Sequence, residues 1–167
     1  MNNYGQESNC NLNTIYYGDF YSYLNTNIEQ LTSLKNQYMK LLSELTICEE
    51  LDDTIFYDKL NQINSIGLIV VAYKYISNNQ IEIIGSGTII IEPKIIHGAK
   101  SVGHIEDIVV KSTYRGQKIS HGILNKLKEF ANKSNCYKII LDCDSSVSKV
   151  YESNGFNIKG IQMGIYL

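Results

Sequence analysis

An acidic pair, Glu106-Asp107, stands in the stretch GHIEDIVVKSTYRGQKISHGIL (residues 103–124), upstream of Arg115, Gly116 and Lys118. The stretch begins as a strand and ends as a helix. A strand that enters a helix through a tight turn leaves several backbone N–H groups without intrahelical partners, pointing outward at the positive end of the helix dipole. That is an anion site, and a pyrophosphate fits it. Gly116 allows close backbone approach, and Arg115 and Lys118 add positive charge. One glycine is a weak signal by itself, because an ordinary solvated helix start reads the same way. Carboxylates such as Glu106 and Asp107 accept strong hydrogen bonds from hydroxyls and ammonium groups. In isolation the pair also reads as a strand-end turn. Histidine is the usual suspect for proton transfer, and His97 and His104 lie close by in the chain. Loop and strand histidines are more often structural.

The elements that must position these residues follow from periodicity. TIYYGDFYSYL (14–24) reads as a tyrosine-rich first strand. Ile28, Leu31, Leu34, Tyr38, Leu41, Leu42 and Leu45 recur at three- and four-residue steps, one apolar helical stripe. Residues 52–63 offer Asp52 or Asp53 as the N-cap of a second, shorter helix. Residues 67–76, 81–92 and 101–110 read as three consecutive strands, with Gly85 and Gly87 marking a bend or a close backbone approach. Residues 92–100 form a loop with the single proline. A helix over 117–133 carries Ile119, Ile123, Leu124, Leu127 and Phe130 on one face. Residues 136–143 read as a buried strand, 146–155 as a short helix ended by Asn154 and Gly155, and 156–167 as a last strand. Three antiparallel strands followed by a βαβ unit predict an α/β (α+β) fold, a mixed central sheet with helices on both faces. The strands before Arg115 and from Cys136 should be parallel, joined by a right-handed crossover.

The chain has 167 residues, a formal net charge of -2 and 44% apolar residues, which suits one domain over 13–167 with a loose Asn-rich arm over 1–12. No basic block suggests nucleic acid, and no apolar run is long enough for a membrane helix. The polar start lacks the regions of a signal peptide, so a cytoplasmic location is expected. Cys10, Cys48, Cys136 and Cys143 are scattered without a CxxC pair, so no metal site is expected.

The turn resembles the acyl-CoA-binding motif of the GNAT N-acetyltransferase superfamily, Q/R-x-x-G-x-G/A. It reads Arg115-Gly116-Gln117-Lys118-Ile119-Ser120, with lysine and serine at the fourth and sixth positions. GHIEDIVV (103–110), CYKIILDCDSSVSKVYESNGF (136–156) and KIIHG (94–98) are similar to the glucosamine-6-phosphate N-acetyltransferases. The resemblance spans roughly residues 42 to 163 and is densest from Lys94 onward.

The resemblance implies a GNAT fold with a βαβ acyl-CoA-binding unit. It implies acetyl transfer from acetyl-CoA to the 2-amino group of glucosamine 6-phosphate, directly and within a ternary complex, on the way to UDP-N-acetylglucosamine. By matching position, the backbone of Ile108, Val109 and Val110 would pair with the pantetheine arm. Arg115, Gly116, Gln117, Lys118, Ile119 and Ser120, with the adjoining His121, would hold the pyrophosphate. Tyr151 would donate to the departing thiolate. Glu106, Asp107, Tyr137, Lys138 and Asp142 would face the sugar, Lys94, Ile95, Ile96 and His97 would form the substrate loop, and Thr46 would contact phosphate. The amine's proton acceptor stays open between Glu106, a backbone carbonyl near Asp142, and water.

Two departures stand out. Val147 replaces a frequent asparagine, and Tyr166 falls where relatives carry an arginine that reaches phosphate across a dimer interface. A homodimer is also implied by the resemblance. Two other readings remain: a GNAT enzyme acting on another small amine or a peptide N-terminus, and a catalytically silent acyl-CoA-binding module.

Overall fold

The computed structural model describes residues 11–166 except residue 13. Most of the expected N-terminal arm, and Cys10, lie outside the described residues. One five-stranded sheet runs in sequence order: β1 (Tyr16–Asp19), β2 (Gly67–Ser77), β3 (Gln80–Glu92), β4 (Ser101–Val110) and β5 (Cys136–Leu141). The first three pairings are antiparallel and β4–β5 is parallel, the predicted mixed sheet.

Helices α1 (Phe20–Thr26), α2 (Leu31–Leu42) and α3 (Asp53–Ile66) cover one face. Their core is aromatic: the Phe20 and Tyr38 rings stack at 4.7 Å, with Phe56 edge-on to both. Helix α5 (Ile119–Lys133) covers the other face with Ile119, Ile123, Leu124, Leu127 and Ala131 buried in an aliphatic core. Residues three and four apart share a helix face, so the stripe read from the sequence is the face that packs. Each of the isoleucines and leucines taken from water stabilises the fold by about 1.5–3 kcal/mol. Short turns at Ile96–Ala99 (α4) and Ser148–Glu152 (α6) complete the set. Among the described residues no helix is long and apolar enough to cross a membrane.

Two expectations fail. Residues 14–24 are not one strand, because Asp19 accepts hydrogen bonds from the N–H groups of Tyr21 and Ser22 and caps α1 there. An N-cap carboxylate outweighs the weak strand preference of the tyrosines that follow. Residues 157–166 form no strand either. Ile158 and the alternating Ile161, Met163 and Ile165 are exposed. A strand exists only through ladder bonds to a neighbour, and the described chain offers this segment none.

Candidate active site

Strand β4 is the axis of the site. Its ladder with β5 ends at the Ile105–Leu141 pair, yet β4 runs on to Val110. Among the described residues, 106–110 therefore present an edge with no strand beside it on the β5 side. On the β3 side the register skips: Thr88 pairs with Glu106 but Ser86 with Val109, so Asp107 and Ile108 stand opposite the single residue Gly87. Asp107 takes the left-handed conformation this bulge needs, with φ 55°. A bulge re-aims side chains, and here it gathers both acidic residues beside the α2 face. Glycine is required opposite it, since a Cβ on Gly87 would lie 2.3 Å from Ile108 Cδ1 and 2.8 Å from Ile123 Cγ2.

Strand pairing sorts the side chains. Paired residues share a face, so Thr88, Glu106, Ser86 and Val109 all point toward α2, where Ser86 Oγ lies 3.4 Å from Tyr38 Oη. Residues two apart also share a face, which adds His104 to that row. His104 Nε2 stands 3.2 Å from Glu106 Oε1 and 3.7 Å from Asp142 Oδ2. Asp142, just past β5, also accepts a hydrogen bond from Gln162 Nε2 at 2.9 Å. Surrounding protein pushes the Asp107 carboxyl up from the usual range, although its side chain still reaches solvent.

The turn into α5 has left-handed backbone at two positions and several free N–H groups. Gly116 has φ 79° and Lys118 φ 60°, both left-handed. No protein acceptor meets the N–H groups of Gly116, Gln117, Lys118, Ile119 or Ser120 among the described residues. The side chain of Ile119 is buried under the sheet, so only its backbone can serve a ligand. Ser120 is half-buried, and His121, Gln117 and Lys118 are exposed. Arg115 donates from Nε to the Val110 carbonyl at 3.1 Å and reaches Glu44 Oε2 at 3.4 Å. The same Glu44 oxygen accepts from the Ser112 N–H at 2.7 Å.

Tyr151, on α6, is half-buried beside the α5-side core and edge-on to Phe156 at 6.2 Å. Burial first, and then the neighbouring Cys143, push its phenol up, so it stays a donor at neutral pH. The remaining substrate candidates cluster at the other end of β4. His97 packs its ring 4.2 Å from that of Tyr137, and Lys138 Nζ lies 5.6 Å over the same ring. Lys94 is ion-paired with Glu92, whose carboxyl that contact holds below its ordinary range. Ile95 and Ile96 are exposed. Thr46 sits apart: it is exposed, beyond the end of α2, and no hydrogen bond or ion pair ties it to Lys94 or Lys138 among the described residues. Sequence reasoning missed Glu44 and Gln162 and gave His104 no place beside Glu106 and Asp142. Glu44 meets Ser112 from 68 residues away and Gln162 meets Asp142 from 20, and no local pattern announces them; His104 and Glu106 are two residues apart on one strand, a spacing that did place them on one face.

A model of the Acetyltransferase (GNAT) family matches residues 33–156. The glucosamine 6-phosphate N-acetyltransferase of Candida albicans is 34% identical over 80% of this chain and 89% of its own. Glucosamine 6-phosphate N-acetyltransferase 1 of Dictyostelium discoideum is 38% identical over 78% of this chain and 82% of its own. The crystal structure of glucosamine-6-phosphate N-acetyltransferase from Arabidopsis thaliana is similar with a TM-score of 0.78 at 28% identity, covering 92% of this chain and 98% of that one.

Proposed function

The chain belongs to the acetyltransferase (GNAT) family, and on that premise we propose that it transfers the acetyl group of acetyl-CoA to the 2-amino group of D-glucosamine 6-phosphate, giving N-acetylglucosamine 6-phosphate and CoA. The observation that carries this reading is the parting of β4 from β5, where an open backbone edge and two carboxylates meet.

Acetyl-CoA supplies an activated acyl thioester. The chain's own groups fit it. The free N–H groups of Gly116–Ser120 take the pyrophosphate, and the edge of Ile108–Val110 takes an extended amide-bearing arm as an added strand. A backbone N–H on that edge stabilises oxyanion charge as it develops on the carbonyl. Tyr151 gives its proton to the departing thiolate. Glu106 and Asp142 orient the amino sugar, and Glu106 takes the amine's proton. Asp107, which the bulge turns toward α2, holds a sugar hydroxyl. Lys138 and Lys94 meet the phosphate, Lys94 exchanging Glu92 for it, while Tyr137 and His97 wall that end. With both sites on one strand, transfer is direct and needs no acyl-enzyme. The reaction belongs on the route to UDP-N-acetylglucosamine, and a cytoplasmic location suits its soluble substrates.

A homodimer is part of the same reading. Ile158, Ile161, Met163 and Ile165 are 80–94% exposed, and a second copy would cover them. Sedimentation should give twice the chain mass, and a monomer at micromolar concentration would remove this element.

The reaction is tested by release of free CoA thiol from acetyl-CoA. Glucosamine 6-phosphate should support release, and glucosamine or a peptide mixture should not. Release with peptides or glucosamine alone would move the enzyme to another acceptor class. No release with any acceptor, while acetyl-CoA raises the melting temperature, would leave only a binding module.

A further inference from the structure

His104 lies between the two carboxylates that the acyl-transfer reading uses, and that reading gives it no task. Its Nε2 is enclosed by protein and meets no hydrogen-bond partner at a good angle, although Glu106 Oε1 stands at 3.2 Å and Asp142 Oδ2 at 3.7 Å. An enclosed polar atom without a partner is costly, and native structures rarely keep one without a use. A bare imidazole nitrogen would also aim its lone pair at two anions. A proton on Nε2 removes that repulsion, and a turn of the ring that brings the N–H into line with Glu106 or Asp142 removes the first cost.

The strand geometry says what such a proton would do. Beyond Ile105–Leu141 no ladder bond joins β4 to β5 among the described residues, so Glu106 and Asp142, each one residue past that pair, stand where the strands begin to part. Only side chains can span that gap. Asp142 already accepts from Gln162, whereas Glu106 has only His104 beside it among the described residues. Other groups lie near the ring: Ile90 of β3 and Ile140 of β5 pair with His104, and Glu92, which also interacts with Lys94 and Lys138, lies within electrostatic reach of it.

We propose that His104 is a positioning residue that clamps Glu106 and Asp142 across the mouth between β4 and β5 through an Nε2–H shared by both carboxylates. Its role in turnover rests on the acetyl-transfer reading; the clamp itself does not. A proton fixed on Nε2 also keeps that nitrogen from serving as the amine's base, and leaves Glu106 as the less tethered carboxylate.

The tautomer is read first, by nitrogen NMR of the full ¹⁵N-labelled chain. The His104 spectrum should show a protonated Nε2 at neutral pH. A bare Nε2 overturns the clamp whatever the enzyme's activity. Kinetics then test its consequence. His104→Ala should lower kcat with glucosamine 6-phosphate about 10–100-fold, the scale of a small misplacement of reacting groups, with the acetyl-CoA KM unchanged. His104→Gln, whose amide N–H reaches the same region, should recover to within about fivefold of the native rate. His104→Ala added to Glu106→Gln should cost nothing further, as expected when two residues act as a unit. His104→Ala within about twofold of native, or losses that multiply, would overturn the role. Should His104→Ala not fold, His104→Gln against His104→Met carries the same comparison, and equal losses overturn it. A native enzyme inactive on glucosamine 6-phosphate would instead defeat the functional reading, leaving the NMR signature to decide the clamp.

Discussion

The two faces of the sheet are built on different terms. The α5 face is dry and aliphatic, with Ile119, Ile123, Leu124, Leu127 and Ala131 each at most 1% exposed. The helix sits so close that a Cβ on Gly85 would lie 3.1 Å from both Ile119 and Ile123. The α1–α3 face mixes aromatic rings with buried hydroxyls, Tyr38, Ser86 and Thr88, and its exposed end carries the carboxylates. The difference assigns labour. Shape-determined packing holds β3, β4 and β5 rigidly from one side. The other side can then tolerate a bulge, a left-handed Asp107 and a broken ladder, the three features on which the proposed function rests.

The firmest way to break that contrast is to hollow the dry face. Leu127→Ala should cost roughly 2–5 kcal/mol of stability, through lost transfer energy and a residual cavity. Urea unfolding measures it, and the kcat of the protein that remains folded should stay within about twofold. A large fall in kcat with little lost stability would show that the two faces are not separable in this way. Tyr151 probes the border, since it packs against the α5-side core and carries the hydroxyl that the proposed function uses. Tyr151→Phe keeps the ring, so stability should hold while kcat falls about 10–100-fold, or ~1.4–2.7 kcal/mol of barrier. An unchanged kcat would make Tyr151 a packing residue only.

The same contrast explains what the sequence disclosed. The α5 stripe was legible because period alone dictates burial. The tight strand-to-helix turn was legible because its residues, Arg115 to Ser120, are contiguous. The His104–Asp142 approach was not, because it depends on where β5 stops relative to β4, which no local pattern encodes. Glu44 bonds to Ser112, 68 residues away, for the same reason. The missing last strand shows the converse. Alternation at 161–165 reads as a strand, but alternation states only that one side wants cover, and within the described chain nothing supplies a ladder. The first strand failed on a single residue, because Asp19 caps a helix in the middle of a strand-like run.

Alkaline pH should find the polar core of the α1–α3 face before it finds the α5 face. Burial pushes the Tyr38 phenol up to about 12, with Ser86 partly offsetting. An unfolded tyrosine ionises near 10, so between about pH 10 and 12 the unfolded chain holds fewer protons than the folded one. Stability contributed by Tyr38 is therefore fully present below pH 10 and is lost as pH rises through 12. The loss amounts to about 3 kcal/mol. Tyr38→Phe should flatten the decline measured by urea unfolding between pH 9 and 11.5. Some slope should persist, because Tyr73 is also pushed up to about 12, by burial and then its tyrosine neighbours. An unaltered slope would mean that the Tyr38 site takes in water and is not a closed core.

The smallest effect tests whether the cradle is backbone alone. Lys118 occupies the left-handed conformation, φ 60° and ψ 23°, at the position where the GNAT motif has glycine. For a residue with a Cβ that conformation costs roughly 1–2 kcal/mol, whereas glycine adopts it freely. Lys118→Gly relieves the strain but gives the unfolded chain more freedom, so the net gain should be about 0.5–1 kcal/mol. The side chain reports on function independently. Its ammonium is exposed at the mouth of the free N–H groups, where an anion would gain a charge-assisted contact. If that contact is made, the acetyl-CoA KM rises about two- to fivefold in the glycine variant while kcat holds. An unchanged KM with increased stability would mean that the backbone alone binds the anion. The lysine would then be a strained substitution that the rigid α5 face is stable enough to carry.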